Sequence, residues 1–266
     1  MIAFAGNSLL CRAALAGTEI DAASFTAIRL VSGAAFLFVL ARVMRRSEAE
    51  KGSWISALAL FAYAALFSFA YLSLTAATGA LLLFGAVQAT MISHGLWKGE
   101  RFSPAQLIGF ALAIAGLGGL LLPGLSAPPL FGAVLMLASG VAWGWYSLRG
   151  RSAVDAIGAT AGNFVLSVPF AAALVLLMHR ELNLDTAGVG YAVASGAIAS
   201  GLGYAIWYTV LPALKSSTAA TVQLSVPAIA AFGGVLLLGE PISLRLVLAS
   251  VAILGGIAMV IRQGRT

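Results

Sequence analysis

The chain has 266 residues, of which 61% are hydrophobic and only 9% are charged. A soluble domain has about 25% charged residues, so the composition excludes a soluble enzyme and a disordered chain. The one cysteine, Cys11, has no disulfide partner within the chain, which excludes a disulfide-stabilised secreted domain. With a mean hydropathy of +1.01, the sequence indicates a polytopic membrane protein.

Apolar windows that are long enough to cross a bilayer recur along the whole chain. A helix needs about 20 apolar residues to span the hydrocarbon core. The windows are nearly continuously apolar, whereas the strands of an outer-membrane barrel alternate apolar and polar residues. We therefore predict an all-α membrane protein with ten transmembrane helices. They lie near residues 1–16, 22–44, 54–74, 77–97, 103–122, 129–149, 155–178, 187–211, 215–238 and 243–262.

The first predicted helix is short for a membrane span. It begins at Met1 and ends before Gly17-Thr18-Glu19, which is the polar break that separates it from the second helix. We expect either a truncated first helix with a true start upstream of Met1, or a short helix. A cleavable signal peptide fits poorly, because no basic segment precedes the apolar stretch.

The basic residues orient the chain in the membrane. Lys and Arg in short loops remain on the cytoplasmic side. With a cytoplasmic N-terminus, only Arg12, Arg180 and Arg245 lie outside, and Arg29 lies within a span. The remaining basic residues are then cytoplasmic: Arg42, Arg45, Arg46, Lys51, Lys98, Arg101, Arg149, Arg151, Lys215, Arg262 and Arg265. This predicts a multi-pass protein of the inner (plasma) membrane with both termini in the cytoplasm. The net charge of +6 therefore reflects topology rather than nucleic-acid binding.

Short motifs recur in the same order in the two halves of the chain. The matching pairs are Gly99-Glu100 with Gly239-Glu240, Ser103 with Ser243, Gly116 with Gly256, Asp21-Ala22 with Asp155-Ala156, and Thr26 with Thr160. They predict a first five-helix repeat over residues 1–122, a linker at 123–129 and a second five-helix repeat over 130–266. Because five is odd, the second repeat enters the membrane inverted. Inverted repeats are typical of secondary transporters, whose binding site lies between the halves.

Several of these segments resemble the drug/metabolite transporter superfamily, in its EamA-like branch. The resemblance is carried by Ala3-Phe4-Ala5-Gly6-Asn7, Ala27-Ile28-Arg29-Leu30, Trp143-Gly144-Trp145-Tyr146 and the two Gly-Glu steps that precede Gly-rich helices 5 and 10. It implies ten helices in two inverted halves that export small metabolites by alternating access. It also implies that helices 5 and 10 are peripheral, while helices 1, 3, 4, 6, 8 and 9 surround a central cavity.

Charged residues inside a span are costly and therefore candidates for function. Every Asp and Glu lies in a predicted loop or at a helix boundary. Glu100 and Glu240 fall at equivalent boundaries, where we expect each carboxylate to bond free helix amides. Arg29 is within a span, and two interpretations stay open. It either meets a substrate carboxylate or has a structural role, bonding loop carbonyls or pairing with Asp21.

Polar and aromatic residues in the spans are the other candidates for substrate binding. Together with Arg29, the predicted site contains Asn7, Gln88, Trp143, Tyr146, Tyr204 and Gln223. Ser139 shares the helix face of Trp143 and Tyr146, whereas Trp145 is expected to face lipid. Weaker candidates are Tyr63, Tyr71, His94 and Tyr208. For the two glutamines the alternative is a hydrogen bond between helices, and for Tyr208 it is an anchor at the membrane interface.

We predict a secondary transporter that exports a small neutral or zwitterionic metabolite, such as an amino acid. The alternatives are a channel or a multidrug/cation exporter. An enzyme is not expected, because the two His, one Cys and the acids outside the membrane interior provide no nucleophile–base pair or metal cluster. We therefore expect no cofactor or metal. The expected partners are a small-molecule substrate and the lipid bilayer, with no nucleic acid, and the protein is expected to be a monomer or homodimer.

Overall fold

The computed structural model describes residues 1–44, 52–99, 101–124, 127–150, 155–210 and 222–263. The regular structure in these segments is helical, which confirms the all-α class. The helices are α1 (Ile2–Gly17), α2 (Ala22–Val43), α3 (Trp54–Tyr71), α4 (Ala76–Trp97), α5 (Pro104–Leu121), α6 (Leu130–Gly150), α7 (Ala156–Leu177), α8 (Thr186–Val193, continued by Ala194–Leu202 and Gly203–Val210), α9 (Ser225–Leu238) and α10 (Leu244–Gln263).

Most of these helices meet the requirements for a membrane span. Within the described segments, eight helices are long and apolar enough to cross a bilayer, while α1 and α9 are apolar but shorter. The protein is therefore a multi-pass membrane protein. The side chain of Tyr208 lies outside the part of the chain that the structure describes. So do several residues of the predicted loops: Arg45, Arg46, Lys51, Glu100, Arg151, Lys215 and Arg265.

The motifs that recur in the sequence make the same local contacts in both halves. The Asp21 carboxylate accepts from Ser24 N at the start of α2, and the Asp155 carboxylate accepts from Gly158 N at the start of α7. One turn into the same helices, each matching threonine donates its hydroxyl to the carbonyl four residues earlier. The matching serines, Ser103 and Ser243, cap the starts of α5 and α10, because each hydroxyl accepts a hydrogen bond from a backbone amide of the first turn. The recurring Asp, Thr and Ser residues therefore mark helix starts.

Contacts between helices also occur in pairs. α3 packs on α6 and α8 packs on α1; α4 packs on α6 and α9 packs on α1; α2 packs on α8 and α7 packs on α3. In each pair, the second contact follows from the first when every helix is replaced by its equivalent in the other half, α1 by α6, α2 by α7 and so on through α5 and α10. The same exchange leaves the contacts of α2 with α7 and of α5 with α10 unchanged.

The α5–α10 pair lies at the edge of the bundle. Gln106 near the start of α5 donates to Val260 O near the end of α10 at 3.1 Å, whereas Gly116 later in α5 faces Ile253 earlier in α10. The two helices are therefore antiparallel. Glycine lets their backbones approach closely. Of the eight long helices in the described segments, α5 has the smallest buried share and α4 the largest, which agrees with the implied peripheral place of α5.

The loop after α7 is fastened to the start of α2. The Asp21 carboxylate accepts from Asn183 N at 2.8 Å, and Asp21 N donates to Asn183 O at 3.1 Å. Partial burial raises the pKa of Asp21, but the hydrogen bonds from Ser24 and Asn183 outweigh it and leave the pKa below its ordinary value. The carboxylate is therefore held in its charged form by the groups that it joins.

A close approach of α8 to α2 fixes the place of Arg29. A Cβ added at Gly196 would overlap Ser32 Oγ and the carbonyl oxygen of Arg29. Gly196 lies in the stretch Ala194–Leu202, which is π-helical. The absence of a side chain at this residue lets the backbone of α8 lie directly against that of α2.

The substitution Gly196→Ala should therefore destabilise the protein. Because the overlapping atoms include backbone, the helices must separate, and such overpacking costs about 1–3 kcal/mol. We expect a lower melting temperature of the purified protein in detergent. The matched control is Gly190→Ala in the same helix, where an added Cβ meets nothing within 4 Å. Equal melting temperatures of the two variants would contradict the close packing of α2 on α8.

Candidate functional site

Polar and aromatic side chains from α1, α2, α3, α6 and α8 meet inside the bundle. We call this group the central cluster. It consists of Asn7, Arg29, Tyr63, Phe67, Trp143, Tyr146, Ser195 and Tyr204. Both halves of the chain contribute to it.

The polar part of the central cluster is organised by the hydroxyl of Tyr63. It accepts from Asn7 Nδ2 at 3.1 Å and from Arg29 Nη2 at 2.9 Å. The Asn7 side-chain oxygen in turn accepts from Ser195 Oγ at 2.5 Å. These bonds link α1, α2, α3 and α8 through one continuous network.

The aromatic part of the central cluster is organised by Trp143. Its ring centroid lies 4.8 Å from that of Tyr63, 5.1 Å from that of Tyr204 and 5.4 Å from that of Tyr146. The rings of Tyr204 and Tyr146 are stacked on the indole. Ser139, one turn earlier in α6, donates to Tyr63 O at 2.9 Å and fixes α6 on α3. Stacked rings beside a hydrogen-bonded network form a surface that suits a small organic solute with a polar group.

Polar residues extend from the central cluster toward the starts of α3 and α7. Asn163 lies on α7 and donates to the Tyr146 hydroxyl at 3.4 Å, and its side-chain oxygen accepts from Ser53 N at 2.8 Å. Arg149, at the end of α6, donates through Nε to Ser56 Oγ at 3.1 Å. This end of the bundle is closed around the cluster by contacts between α3, α6 and α7.

A pocket lies at the opposite end of the bundle. It has a volume of about 380 Å³ and is lined by α1, the start of α8 and the end of α9. Arg12 and Glu240 form part of its wall and make an ion pair at 3.0 Å. Tyr71, which packs against Phe67 of the central cluster with ring centroids 4.7 Å apart, accepts from Arg12 through its backbone carbonyl. Side chains therefore separate this pocket from the central cluster.

Glu240 has the structural role that we expected, with a different partner. Its second carboxylate oxygen accepts from Ala76 N at 2.8 Å. Glu240 lies between α9 and α10, as expected, but the amide that it bonds belongs to the start of α4. The carboxylate thus joins the α9–α10 connection to two helices of the other half, because its first oxygen pairs with Arg12 of α1.

The structure brings together five of the seven predicted site residues: Asn7, Arg29, Trp143, Tyr146 and Tyr204. Gln88 is buried in α4 and makes no hydrogen bond within the described segments. The alternative pairing of Arg29 with Asp21 is wrong, because Arg29 bonds Tyr63 whereas Asp21 bonds Ser24 and Asn183.

Gln223 is half-buried before α9 and shows no hydrogen bond to the central cluster in the described segments. Its participation in substrate binding stays a prediction. We expect Gln223→Ala to lower the transport rate several-fold without lowering the amount of folded protein in the membrane, measured by solute uptake and by size-exclusion chromatography. Full activity of this variant would remove Gln223 from the site.

Two residues of the central cluster have a larger role than their sequence context suggested. Tyr63 was only a weaker candidate, and Ser195 was not among the candidates. Ser195 and Tyr204 are nine residues apart, which is about two and a half turns of an α-helix and places them on opposite faces. The π-helical stretch has wider turns and brings both residues to the face of α1, where Ser195 meets Asn7 and Tyr204 meets Phe4.

His94, a weaker candidate, and Trp145 contact each other outside the central cluster. The ring of His94 lies edge-on to Trp97 and Trp145, with centroids 6.3 and 6.4 Å apart, so it contacts aromatic rings outside the central cluster. Trp145 is 43% exposed, in agreement with the expected lipid-facing position. In the part of the chain that the structure describes, no three His, Cys, Asp or Glu side chains are grouped closely enough to hold a metal ion.

Comparisons with known proteins agree with this architecture. Residues 130–262 match the EamA-like transporter family. An uncharacterized protein of Pseudomonas aeruginosa is 58% identical over 268 residues, which cover 100% of this chain and 93% of that protein. An uncharacterized transporter of Archaeoglobus fulgidus is 27% identical, with 85% of this chain and 82% of that protein covered. A protein crystal structure aligns over 99% of both chains with a TM-score of 0.68 at 19% identity, a likeness that shows the fold.

Proposed function

Because the chain belongs to the EamA-like transporter family, we propose that it is a ten-helix secondary carrier of the inner membrane with both termini cytoplasmic. It exports a small neutral or zwitterionic metabolite, such as an amino acid, by alternating access, and it acts as a monomer or homodimer. The observation that carries the proposal is the central cluster. Hydrogen-bonding groups and stacked rings from both halves meet there, deep within a membrane protein.

The helix contacts support two inverted halves, residues 1–122 and 130–266, joined by the linker at 123–129. Equivalent helices of two repeats that point the same way would meet in parallel. α5 and α10 meet antiparallel, and the most extensive contacts between the other helices occur in pairs that the exchange of halves preserves. A site between inverted halves is the arrangement by which carriers rock around a fixed substrate.

The ion pair at the pocket end of the bundle supports alternating access. The ion pair of Arg12 with Glu240 joins the halves above Tyr71 and Phe67, at the end that the orientation places outside. For a solute to leave the central cluster outward, this pair must separate or move. The Arg12–Glu240 pair is thus the outer gate in our proposal, and the contacts of Asn163 with Tyr146 belong to the inner one.

Counterflow into liposomes that contain the purified protein tests the proposal. The liposomes are preloaded with one unlabelled amino acid or organic acid at a time, and uptake of the same labelled solute is measured. A carrier gives saturable, transient accumulation with no steady ionic current. A current that does not saturate would favour a channel, exchange restricted to organic cations would favour the multidrug/cation exporter, and product formation would favour an enzyme.

A further inference from the structure

Arg29 is the fully buried charged side chain of the central cluster. It is 1% exposed, and its only hydrogen bond within the described segments joins Nη2 to the Tyr63 hydroxyl. Its Cζ lies 5.0 Å from the ring centroids of both Tyr63 and Phe67. Nε and Nη1 are buried and have no hydrogen-bond partner among the residues that the structure describes. No carboxylate of the described residues forms an ion pair with this guanidinium.

Such an arrangement is unusual for a residue whose role is only structural. Buried guanidinium groups are normally paired, because removing a charge from water is costly. The two aromatic faces attract the cation, but they accept no conventional hydrogen bond from its free N–H groups. An intramembrane charge that the fold leaves without a counterion is therefore a candidate for ligand binding.

The groups around Arg29 offer donors rather than acceptors. The Tyr63 hydroxyl oxygen already accepts from both Asn7 and Arg29, and the Asn7 oxygen already accepts from Ser195. A ligand that completes this site must supply acceptor oxygens and a negative charge, which a carboxylate does by accepting from two guanidinium nitrogens at once.

We infer that Arg29 binds the carboxylate of the transported solute, whose organic part packs against Trp143 and Tyr204. The inference rests on the proposed function and specifies its substrate class as small molecules that carry one carboxylate, either zwitterions such as amino acids or monoanions, in place of neutral metabolites. A phosphate dianion fits less well, because Arg29 is the one basic side chain in the cluster. The contacts assigned to both proposed gates are formed in this structure, so the carboxylate reaches Arg29 when either gate opens.

Matched pairs of ligands test the inference. The probes are 3-phenylpropanoate with 3-phenylpropanamide, 4-methylpentanoate with 4-methylpentanamide, and L-leucine with L-leucinamide. The two members of each pair have nearly the same shape and differ in the carboxylate. Binding to the purified protein is measured by calorimetry and by tryptophan fluorescence. We expect at least one carboxylate to bind at least tenfold more tightly than its amide.

The same measurements on variants identify the residue responsible. Arg29→Gln should bring the ratio of the affinity for the carboxylate to that for the amide close to one. Arg29→Lys should keep part of the preference for the carboxylate because the charge remains. The matched control is Arg180→Gln, which removes an exposed arginine and should leave the preference unchanged. Without ligand, Arg29→Gln should melt no lower than the unmodified protein, because it removes a buried charge that has no counterion.

Several results would overturn the inference. One is that no carboxylate of the panel binds more tightly than its amide. Another is that the Arg29→Gln variant folds and still binds the carboxylate tenfold more tightly than the amide. If Arg29→Gln does not fold, binding of the ligand pairs to the unmodified protein and to Arg29→Lys still tests whether Arg29 binds the carboxylate. Saturable carboxylate binding without counterflow would contradict the carrier and leave the inference standing. Counterflow that is equally fast for carboxylates and their amides would contradict the inference and leave the carrier standing.

Discussion

Trp143→Ala is expected to reduce the initial rate of counterflow at least tenfold. The indole contacts the rings of Tyr63, Tyr146 and Tyr204, so its removal takes away the central surface on which a solute packs. An aromatic pair contributes about 0.5–1.5 kcal/mol in addition to the area that it buries, and burial of a large apolar group contributes about 1.5–3 kcal/mol. Each 1.4 kcal/mol is a factor of about ten in affinity. The rate is measured in liposomes that contain equal amounts of folded protein.

The neighbouring tryptophan provides the control for this variant. Trp145 is in the same helix, is 43% exposed and contacts His94 rather than the central cluster. Trp145→Ala removes an identical side chain and should retain most of the activity. Equal losses in the two variants, or full activity of Trp143→Ala, would show that the stacked rings do not bind the solute.

Glu240→Ala is expected to lower the stability of the protein by about 2 kcal/mol, because it leaves two groups without their partner. The Arg12 guanidinium loses its counterion, and Ala76 N at the start of α4 loses its acceptor. The Arg12 and Glu240 side chains are only 20% and 10% exposed, so water compensates for the loss incompletely. Thermal unfolding in detergent is the measurement, and it should shift by several degrees.

The controls for Glu240→Ala separate the ion pair from a general effect of charge. Glu181→Ala removes an exposed carboxylate of the loop after α7 and should not change the melting temperature. Replacing Arg12 and Glu240 together by Gln should recover part of the loss, because no unpaired charge remains. A stabilising role of the ion pair would be contradicted if Glu240→Ala had the melting temperature of the unmodified protein, or if the double replacement were no more stable than Glu240→Ala.

Much of the fold could be predicted from the sequence because lipid imposes simple requirements. A span must be apolar over about 20 residues and must bond its own backbone, so length and composition locate the helices. The helix starts were predictable for a local reason. Ser103 with Gln106 forms a capping box, in which each side chain accepts from the backbone of the other residue.

The central cluster was only partly predictable, because its geometry depends on contacts between helices. Arg29 and Asn7 were notable as polar residues in spans, but their shared partner Tyr63 lies on another helix and has no distinguishing sequence context. Ser195 could not be assigned to the site from helical periodicity. The π-helical stretch changes the face to which it points, and nothing in the local sequence announces this change.

The proposed carrier requires two halves that cross the membrane in opposite directions, and the ends of α4 and α9 provide the direct test. Gly99 and Gly239 follow these helices with φ of +87° and +64°, so cysteine is better placed at exposed neighbours, Lys98 and Pro241. Cys11 is buried and gives little background. An impermeant maleimide applied to intact spheroplasts should label Pro241→Cys, and Lys98→Cys only after permeabilisation. Labelling of both from the same side would contradict the inverted arrangement and the site between the halves.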